Sequence, residues 1–219
     1  MSASSPVALI VGSARTSNNG DGLAAWLMTR FNAVTTSRSK LVLASDLIDL
    51  PLPIGPVVDP VMAAAIASPR DYADPAVQAW SRLVSATPAV VVLTPQFNWG
   101  YPGQLKNLFD HLYNEWKGKR VVLVTYGGHG GSKCAEQLQM VLSGGLHMNV
   151  VAHVGITLPK EFIRSSNRVS ATQIPEFLTE YEVKVDRRSR SFSKTCSKLE
   201  TVKAADTGER NQRGFQCHV

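Results

Sequence analysis

Five short runs rich in apolar and β-branched residues recur along the chain. Runs without regular polar alternation are typical of strands that are buried on both faces of a parallel sheet. The predicted strands are Val7–Val11, Leu41–Ala44, Ala89–Thr94, Arg120–Tyr126 and Asn149–Leu158.

Between these runs, apolar residues are spaced by three and four, which is the period of one helix face. The faces are formed by Leu23, Leu27 and Phe31; by Val77, Trp80 and Val84 after an Asp74-Pro75 cap; by Leu105, Leu108, Phe109, Leu112, Tyr113 and Trp116; and by Cys134, Leu138, Val141 and Leu142. A last helix is predicted from Pro175 to roughly Val202. The alternation of strands and helices predicts a three-layer α/β fold, a doubly wound parallel sheet of five strands in the order 2-1-3-4-5.

In a sheet of this order, ligands bind beyond the carboxyl ends of the strands, where the strand order reverses. That point lies between strands 1 and 3. The loops Gly12–Gly20, Pro95–Gly103 and Gly127–Ser132 follow strands 1, 3 and 4, so we expect them to converge there.

The first of these loops has the layout of a phosphate site. Its candidate residues combine hydroxyl, amide and guanidinium groups with the start of a helix, whose free N–H groups attract anions; they are Ser13, Arg15, Asn18, Asn19 and Gly20. Neither the Walker pattern nor G-x-G-x-x-G is present, which argues against an ATPase or a Rossmann dinucleotide domain. The alternative is a Ser/Asn-rich helix cap with a surface arginine.

The other two loops suit a flat heterocycle. Candidate contacts in the first are Pro95, Gln96, Phe97, Asn98 and Trp99, which offer π-faces and polar edges; the alternative is a stiff turn whose aromatic rings cover the core. In the second, Gly127 and Gly128 predict close approach of backbone to a ligand, and His129 is either an acid group or a polar residue at the loop tip. A phosphate together with a flat ring favours flavin mononucleotide (FMN) over a bare nucleotide.

The net charge of +6 is concentrated at the end of the 219-residue chain. Residues 183–219 hold nine Lys and Arg against four Asp and Glu, while residues 1–182 hold fourteen against thirteen. We therefore predict one domain over 1–182 and a basic helical extension over 183–219 with a disordered end. The basic cluster Lys184, Arg187, Arg188, Arg190, Lys194 and Lys198 fits a solvated helix face better than a nucleic-acid site, because no aromatic interleaving accompanies it.

Other features of the composition exclude several classes of protein. Cys134, Cys196 and Cys217 are widely spaced, which argues against a disulfide framework and a structural zinc site, and we expect free thiols and no metal. No signal-like segment or long apolar run is present, so we expect a cytoplasmic protein without membrane insertion. The proline-rich connection from Asp46 to Asp74, with Pro51–Pro69 inside it, is either a loop over the ligand or partly disordered.

Three segments resemble the NADPH-dependent FMN reductases, a flavodoxin-like family that includes NAD(P)H:quinone and azo-dye reductases. They are GSAR at Gly12–Arg15 with Gly20 and Ala24-Ala25-Trp26 after it, PQFNWGYPGQLKN at Pro95–Asn107, and YGGHGG at Tyr126–Gly131; the resemblance spans about Val7 to Pro159. It implies that Ser13, Arg15 and the amides near Asn18–Gly20 hold the FMN phosphate. It also implies that Pro95–Trp99 wrap the flavin and that Gly127, Gly128 and His129 lie at its pyrimidine side.

The resemblance further implies a homodimer or homotetramer, whose partner chain would contact Tyr113 and Trp116. The chain departs from the family at three places. The family often has a second basic residue where Asn18 stands, which predicts a weaker hold on the phosphate. It commonly has Glu and Tyr where Gln96 and Phe97 stand. Smaller or differently shaped residues are common where Trp99 stands, so we expect Trp99 to narrow the space over the flavin and to affect the choice of electron acceptor.

The leading hypothesis is an FMN-dependent oxidoreductase that takes hydride from NADPH and passes it to flavin, a quinone or another aromatic small-molecule acceptor. No side chain is expected to act as a catalytic acid or base, since the cofactor performs the redox chemistry. A flavodoxin-like electron carrier, a biosynthetic reductase of narrow specificity and a cofactor-free binding protein are the alternatives. Carriers of that kind are typically acidic, which argues against the first of them.

Overall fold

A computed structural model describes residues 6–35, 40–47 and 54–192. It contains one parallel sheet of five strands in the order β2-β1-β3-β4-β5, as predicted. The strands are β1 Val7–Val11, β2 Leu41–Leu43, β3 Ala89–Pro95, β4 Arg120–Gly127 and β5 Asn149–Thr157. Each lies within two residues of its predicted bounds.

The helices cover both faces of the sheet. They are α1 Asn19–Val34, α2 Ala44–Leu47, α3 Pro75–Ala86, α4 Gly103–Asp110, α5 Ser132–Gln139, α6 Lys160–Arg164 and α7 over residues 179–192. A π-helical stretch, Met140–Gly145, continues α5, and 3₁₀ turns occupy Ala63–Ala65 and Glu176–Leu178. In the described ranges, no helix has both the length and the apolar composition needed to cross a bilayer.

The register of the strands brings three carboxyl ends to one edge. Val11 on β1 pairs with Leu93 on β3, and Pro95 on β3 pairs with Tyr126 on β4. Every residue of β3 is buried, because this strand lies between β1 and β4 and is covered on both faces. The loops that follow β1, β3 and β4 therefore start side by side.

Two apolar clusters flank the sheet. One packs α3, α4 and α5 against it, and the other packs α1 and α7 against the opposite face. In the first cluster, the ring of Trp116 contacts those of Trp80 and Phe109 edge to face, with centroids 6.0 and 5.3 Å apart. Trp116 is thus fully buried inside its own chain, and it is not available to a partner chain.

The helix predicted to run from Leu105 to Trp116 ends at Asp110. Two indole groups account for the early end. The Nε1 of Trp80 donates to the carbonyl of Leu108 at 2.9 Å, and the Nε1 of Trp116 donates to the carbonyl of Phe109 at 3.2 Å. These carbonyls would accept from the next helical turn if α4 continued, so the chain turns while Leu112 and Trp116 stay buried.

The helix α7 is amphipathic and lies against α1. Its residues Tyr181, Val185, Ser189 and Phe192 are buried at a spacing of three or four. A bidentate contact joins Arg30 on α1 to Asp186, at 3.1 and 2.5 Å. The basic residues Lys184, Arg187, Arg188 and Arg190 are exposed on its other side. Lys194, Lys198, Cys196, Cys217 and the predicted end of this helix lie outside the described residues.

The connection between β2 and α3 is described over residues 54–74. It packs against α4 and the turn after it: the side chain of Asn107 donates to the carbonyl of Gly55 at 2.6 Å, and Asn114 donates to that of Ile66 at 2.7 Å. Tyr72 donates to the carboxylate of Glu115 at 3.0 Å. The positions expected over the ligand therefore lie beside α4 in this structure, while residues 48–53 lie outside the described ranges.

Gly22 on α1 lies directly against the backbone of the segment that leads to α7. A Cβ atom at this position would collide with the backbone carbonyl of Val169. We therefore expect Gly22→Ala to lower the free energy of unfolding by roughly 1–3 kcal/mol, as overpacking commonly does. Urea unfolding followed by circular dichroism measures the change.

Gly144→Ala is the matched control, because a Cβ at this exposed helical position meets nothing within 4 Å. Alanine is the better helix former, so this variant should be as stable as the parent or slightly more stable. Equal stability of Gly22→Ala and the parent protein would show that α1 and Val169 are not tightly packed.

Candidate functional site

A cavity of about 300 Å³ opens at the carboxyl edge of β1, β3 and β4. It lies where the strand order reverses, as predicted. Nine of the predicted site residues line it: Ser13, Arg15, Asn18, Asn19, Pro95, Gln96, Phe97, Gly127 and Gly128. The remaining lining residues are Thr16, Ser17, Tyr126, Leu158, Phe162, Ile163 and Arg168.

The loop after β1 leaves the sheet through Gly12. Its N–H donates to the carbonyl of Leu93 at 2.8 Å, and a Cβ at Gly12 would lie 2.7 Å from the Oγ1 of Thr94. Only a residue without a side chain fits this approach, because both Thr94 and its surroundings are buried. The loop is therefore held flat against the end of β3.

Asn18 and Asn19 shape this loop from within. The side chain of Asn18 caps α1 by accepting from the N–H of Asp21 at 3.2 Å, and it donates to the carbonyl of Arg15. The side chain of Asn19 donates to the carbonyl of Phe162 at 2.8 Å and accepts from the N–H of Val169 at 2.9 Å. Both amides are thus engaged within the protein.

Gly20 does not line the cavity, but its lack of a side chain leaves room for Tyr126, which does. A Cβ there would lie 2.8 Å from the hydroxyl oxygen of Tyr126. Burial raises the pKa of that hydroxyl well above its ordinary value, so it stays protonated at neutral pH. Tyr126 belongs to the YGGHGG segment, but it is not among the predicted cofactor contacts.

The donors left over in the loop suit an anion. The backbone N–H groups of Thr16 and Ser17 have no acceptor among the described residues. The guanidinium of Arg15 lies over the ring of Phe97, 4.1 Å from its centroid, which aligns the cation with the cavity wall. A phosphate group fits this set of donors, which includes the hydroxyl of Ser13.

The loop after β3 is a tight hairpin rather than a wrap around the cavity. Phe97 and Gly100 exchange backbone hydrogen bonds of 2.9 and 2.8 Å. Asn98 and Trp99 between them have φ angles of +47° and +68°, which define a type I′ turn. Asn98 and Trp99 lie at its tip, outside the cavity lining, and the indole of Trp99 is 70% exposed.

Gln96 joins this hairpin to the glycine-rich loop. Its side-chain oxygen accepts from the N–H groups of Lys133 and Cys134 at 3.0 and 3.2 Å, at the start of α5. Two of the unpaired donors of that helix are therefore satisfied by a residue of the cavity wall. The Cys134 thiol is buried, which raises its pKa to about 12, and it does not line the cavity.

The glycine-rich loop after β4 packs on Thr125. Gly130 and Gly131 have φ angles of +65° and +69°, and a Cβ at Gly131 would lie 2.8 Å from the Cβ of Thr125. The Thr125 hydroxyl donates to the carbonyl of Gly130 at 2.6 Å. His129 is exposed at the tip and does not line the cavity, which matches a polar loop-tip residue.

The segment after β5 forms a wall of the cavity that is not among the predicted site residues. Leu158, Phe162 and Ile163 supply apolar surface, and the ring of Phe162 packs on that of Phe177 at 5.2 Å. The carboxyl end of β5 pairs with the end of β4, since Gly127 aligns with Thr157, so the topology alone places this segment at the same edge. No local motif indicates Arg168.

A doubly wound sheet whose switch-point cavity joins an anion-binding loop to apolar and aromatic walls defines a flavodoxin-like, nucleotide-binding class of protein. Residues 6–162 match the family described as NADPH-dependent FMN reductase, and the chain belongs to this family. Its cofactors are FMN and NADPH, and the cavity has the donors and the flat walls that FMN requires.

Curated relatives bear related names. An NAD(P)H-dependent FMN reductase, LOT6, of Saccharomyces cerevisiae is 44% identical over 155 residues, which cover 70% of this chain and 81% of the relative. A second, C4B3.06c of Schizosaccharomyces pombe, is 36% identical over 159 residues, covering 72% and 75%. Both relatives carry in their names the activity that describes the family to which this chain belongs.

Solved structures share the fold. The flavoenzyme NAD(P)H:(acceptor) oxidoreductase FerB of Paracoccus denitrificans aligns with a TM-score of 0.59 and 21% identity, over 89% of this chain and 98% of its own. The apo form of an NADH:FMN oxidoreductase, EMOB, aligns with a TM-score of 0.54 and 17% identity, over 86% and 90%. At these identities the likeness concerns the fold alone.

The role of Gln96 gives a matched pair of variants. Gln96→Leu leaves two N–H groups at the start of α5 without an acceptor, so we expect it to lower the free energy of unfolding by about 1–3 kcal/mol. Gln96→Glu keeps the acceptor and adds a negative charge at a helix N-terminus, so it should be at least as stable as the parent. Urea unfolding of the parent protein and the two variants measures the change. Identical midpoints for all three would contradict this role of Gln96.

Proposed function

We propose that the protein oxidises NADPH and reduces a quinone or another planar aromatic acceptor, in two half-reactions at one site. FMN held in the cavity supplies the hydride transfer. The observation that carries the choice of acceptor is the indole of Trp99, which is exposed on a rigid hairpin next to the cavity residue Phe97. An exposed aromatic ring on a hydrogen-bonded hairpin offers a stacking surface to a planar molecule.

The residues have distinct proposed roles in holding FMN. Ser13, Arg15 and the N–H groups of the first loop bind the phosphate, while Asn18, Asn19 and Gly20 give that loop its shape. Pro95, Gln96 and Phe97 line the ring system, with Asn98 and Trp99 at its outer side. Gly127 and Gly128 approach the pyrimidine edge, next to His129.

We expect no acid or base from the protein, because the flavin would carry the redox chemistry. The aromatic hydroxyl that lines the cavity, Tyr126, has a raised pKa and is protonated at neutral pH. Leu158 and Ile163 line the same cavity with apolar side chains. The protein would thus orient the reactants and supply donors, and leave proton exchange to solvent at the open mouth.

The test follows the flavin spectrum. Protein incubated with FMN and desalted should keep the visible flavin bands, anaerobic NADPH should bleach them, and a quinone should restore them. In Trp99→Asn, which suits the positive φ of the turn but removes the ring, the KM for a quinone should rise by about two- to tenfold, the size of one aromatic contact.

Ferricyanide is the control acceptor, because it does not stack, and its reduction should not change in Trp99→Asn. Bands that NADPH fails to bleach would favour an electron carrier. An unchanged KM for the quinone would remove Trp99 from the acceptor site without affecting the first half-reaction.

We also propose that the protein acts as a homodimer that pairs through the connection before α3. This connection exposes a run of apolar side chains, Val57, Val58, Val61 and Met62, of which Met62 is 76% exposed. Val57, Val61 and Met62 line a cavity of about 340 Å³ together with Tyr113, one of the two residues expected to meet a partner. An exposed apolar patch of this kind marks an interaction surface, and the family resemblance favours a second copy.

The paired substitution Val58→Asp and Met62→Asp should convert the dimer into a monomer, because it places charges in an apolar interface. Light scattering after gel filtration measures the mass. Val183→Asp is the control, since Val183 is 77% exposed on α7 and should not alter the mass. A monomeric parent protein would overturn the proposal.

A further inference from the structure

Arg168 lines the cofactor cavity although it lies outside the part of the chain that matches the family, residues 6–162. It faces the cavity from the segment between α6 and α7. Its side chain contacts the phosphate loop after β1, since the Nε of Arg168 donates to the carbonyl of Ser17 at 2.8 Å.

The guanidinium is held in place by three carbonyls. Besides Ser17, its Nη1 donates to those of Ser165 and Asn167, at 2.7 and 2.6 Å. Ser17 has a φ of +51°, which is uncommon for a residue with a side chain, and its carbonyl is turned toward Arg168. The cation is therefore pre-positioned, while Nη2 has no partner among the residues that the structure describes.

The charge of Arg168 is also uncompensated by a carboxylate within the described ranges. Arg30 shows the contrast, since it is paired with both Asp186 and Glu182. Arg15 and Arg168 thus line one cavity, next to the N–H groups of Thr16 and Ser17, which have no acceptor in the part of the chain that the structure describes. A dianionic phosphate monoester is the ligand chemistry that such a set of donors fits.

The loop itself offers no second cation. The side chain of Asn18, where the family often has a basic residue, is engaged with Arg15 and Asp21. We propose that Arg168 supplies the second positive charge for the FMN phosphate, from a part of the chain outside the family motif. This inference rests on FMN binding in the cavity, and it replaces the expectation of a weak hold on the phosphate.

The test compares dissociation constants for FMN and riboflavin, measured by quenching of flavin fluorescence on apoprotein. Arg168→Gln removes the charge, and we expect it to weaken FMN binding by about tenfold or more, as loss of one charge-assisted contact does, and to leave riboflavin binding unchanged. Arg168→Lys keeps the charge and should retain most of the affinity for FMN. Arg164→Gln, on the exposed end of α6 outside the cavity, is the control and should change neither constant.

Equal weakening of FMN binding in Arg168→Gln and Arg168→Lys would overturn the proposal, because the residue would then act only through the carbonyls that it holds. Unchanged FMN affinity in Arg168→Gln would overturn it as well. A higher KM for NADPH but not for NADH, with FMN affinity intact, would assign the cation to the phosphate of the nicotinamide cofactor instead. If the parent protein binds neither flavin, the proposed function fails before Arg168 is tested.

Discussion

The site rests on two threonines that pair across the centre of the sheet. Thr94 on β3 aligns with Thr125 on β4, and both are fully buried. Gly12 packs on the first and Gly131 on the second, so closely that neither position has room for a Cβ. The phosphate loop and the glycine-rich loop are therefore fixed relative to each other by contacts between backbone and strand. The candidate anion donors after β1 and the glycines after β4 are thus anchored on two neighbouring strands.

Much of this arrangement could be predicted because it depends on burial and on chain order. The runs Val7–Val11 and Ala89–Thr94 are short and apolar without alternation, which is typical of strands in a doubly covered parallel sheet, and the strand order follows from short crossovers. Convergence of three loops then follows from the topology. The early end of α4 could not be predicted, because it depends on indole groups of Trp80 and Trp116 that meet its carbonyls only after folding.

The limits at the site have a similar origin. Residue type suggests which groups can bind, but not which of them the protein uses for itself. The side-chain oxygens of Asn19 and Gln96 accept from backbone N–H groups of the protein itself. Trp99 lies at the tip of a hairpin whose turn type depends on two positive φ angles. The segment after β5 carries no motif, so its contribution is visible only from the pairing of β5 with β4. The recognition of FMN proposed for this cavity therefore uses backbone N–H groups and arginines more than amide side chains.

The match to the family ends earlier along the chain than the folded unit does, because α7 packs against α1. The family match ends at residue 162, yet Val169, Leu178, Tyr181, Val185 and Phe192 belong to the apolar cluster that covers one face of the sheet. Tyr181 also accepts the N–H of Thr157, and so secures the last residue of β5. The region that can be recognised by descent is therefore shorter than the region that folds as a unit. A chain cut at the end of the family match would therefore leave the apolar surface under α7, on one face of the sheet, open to water.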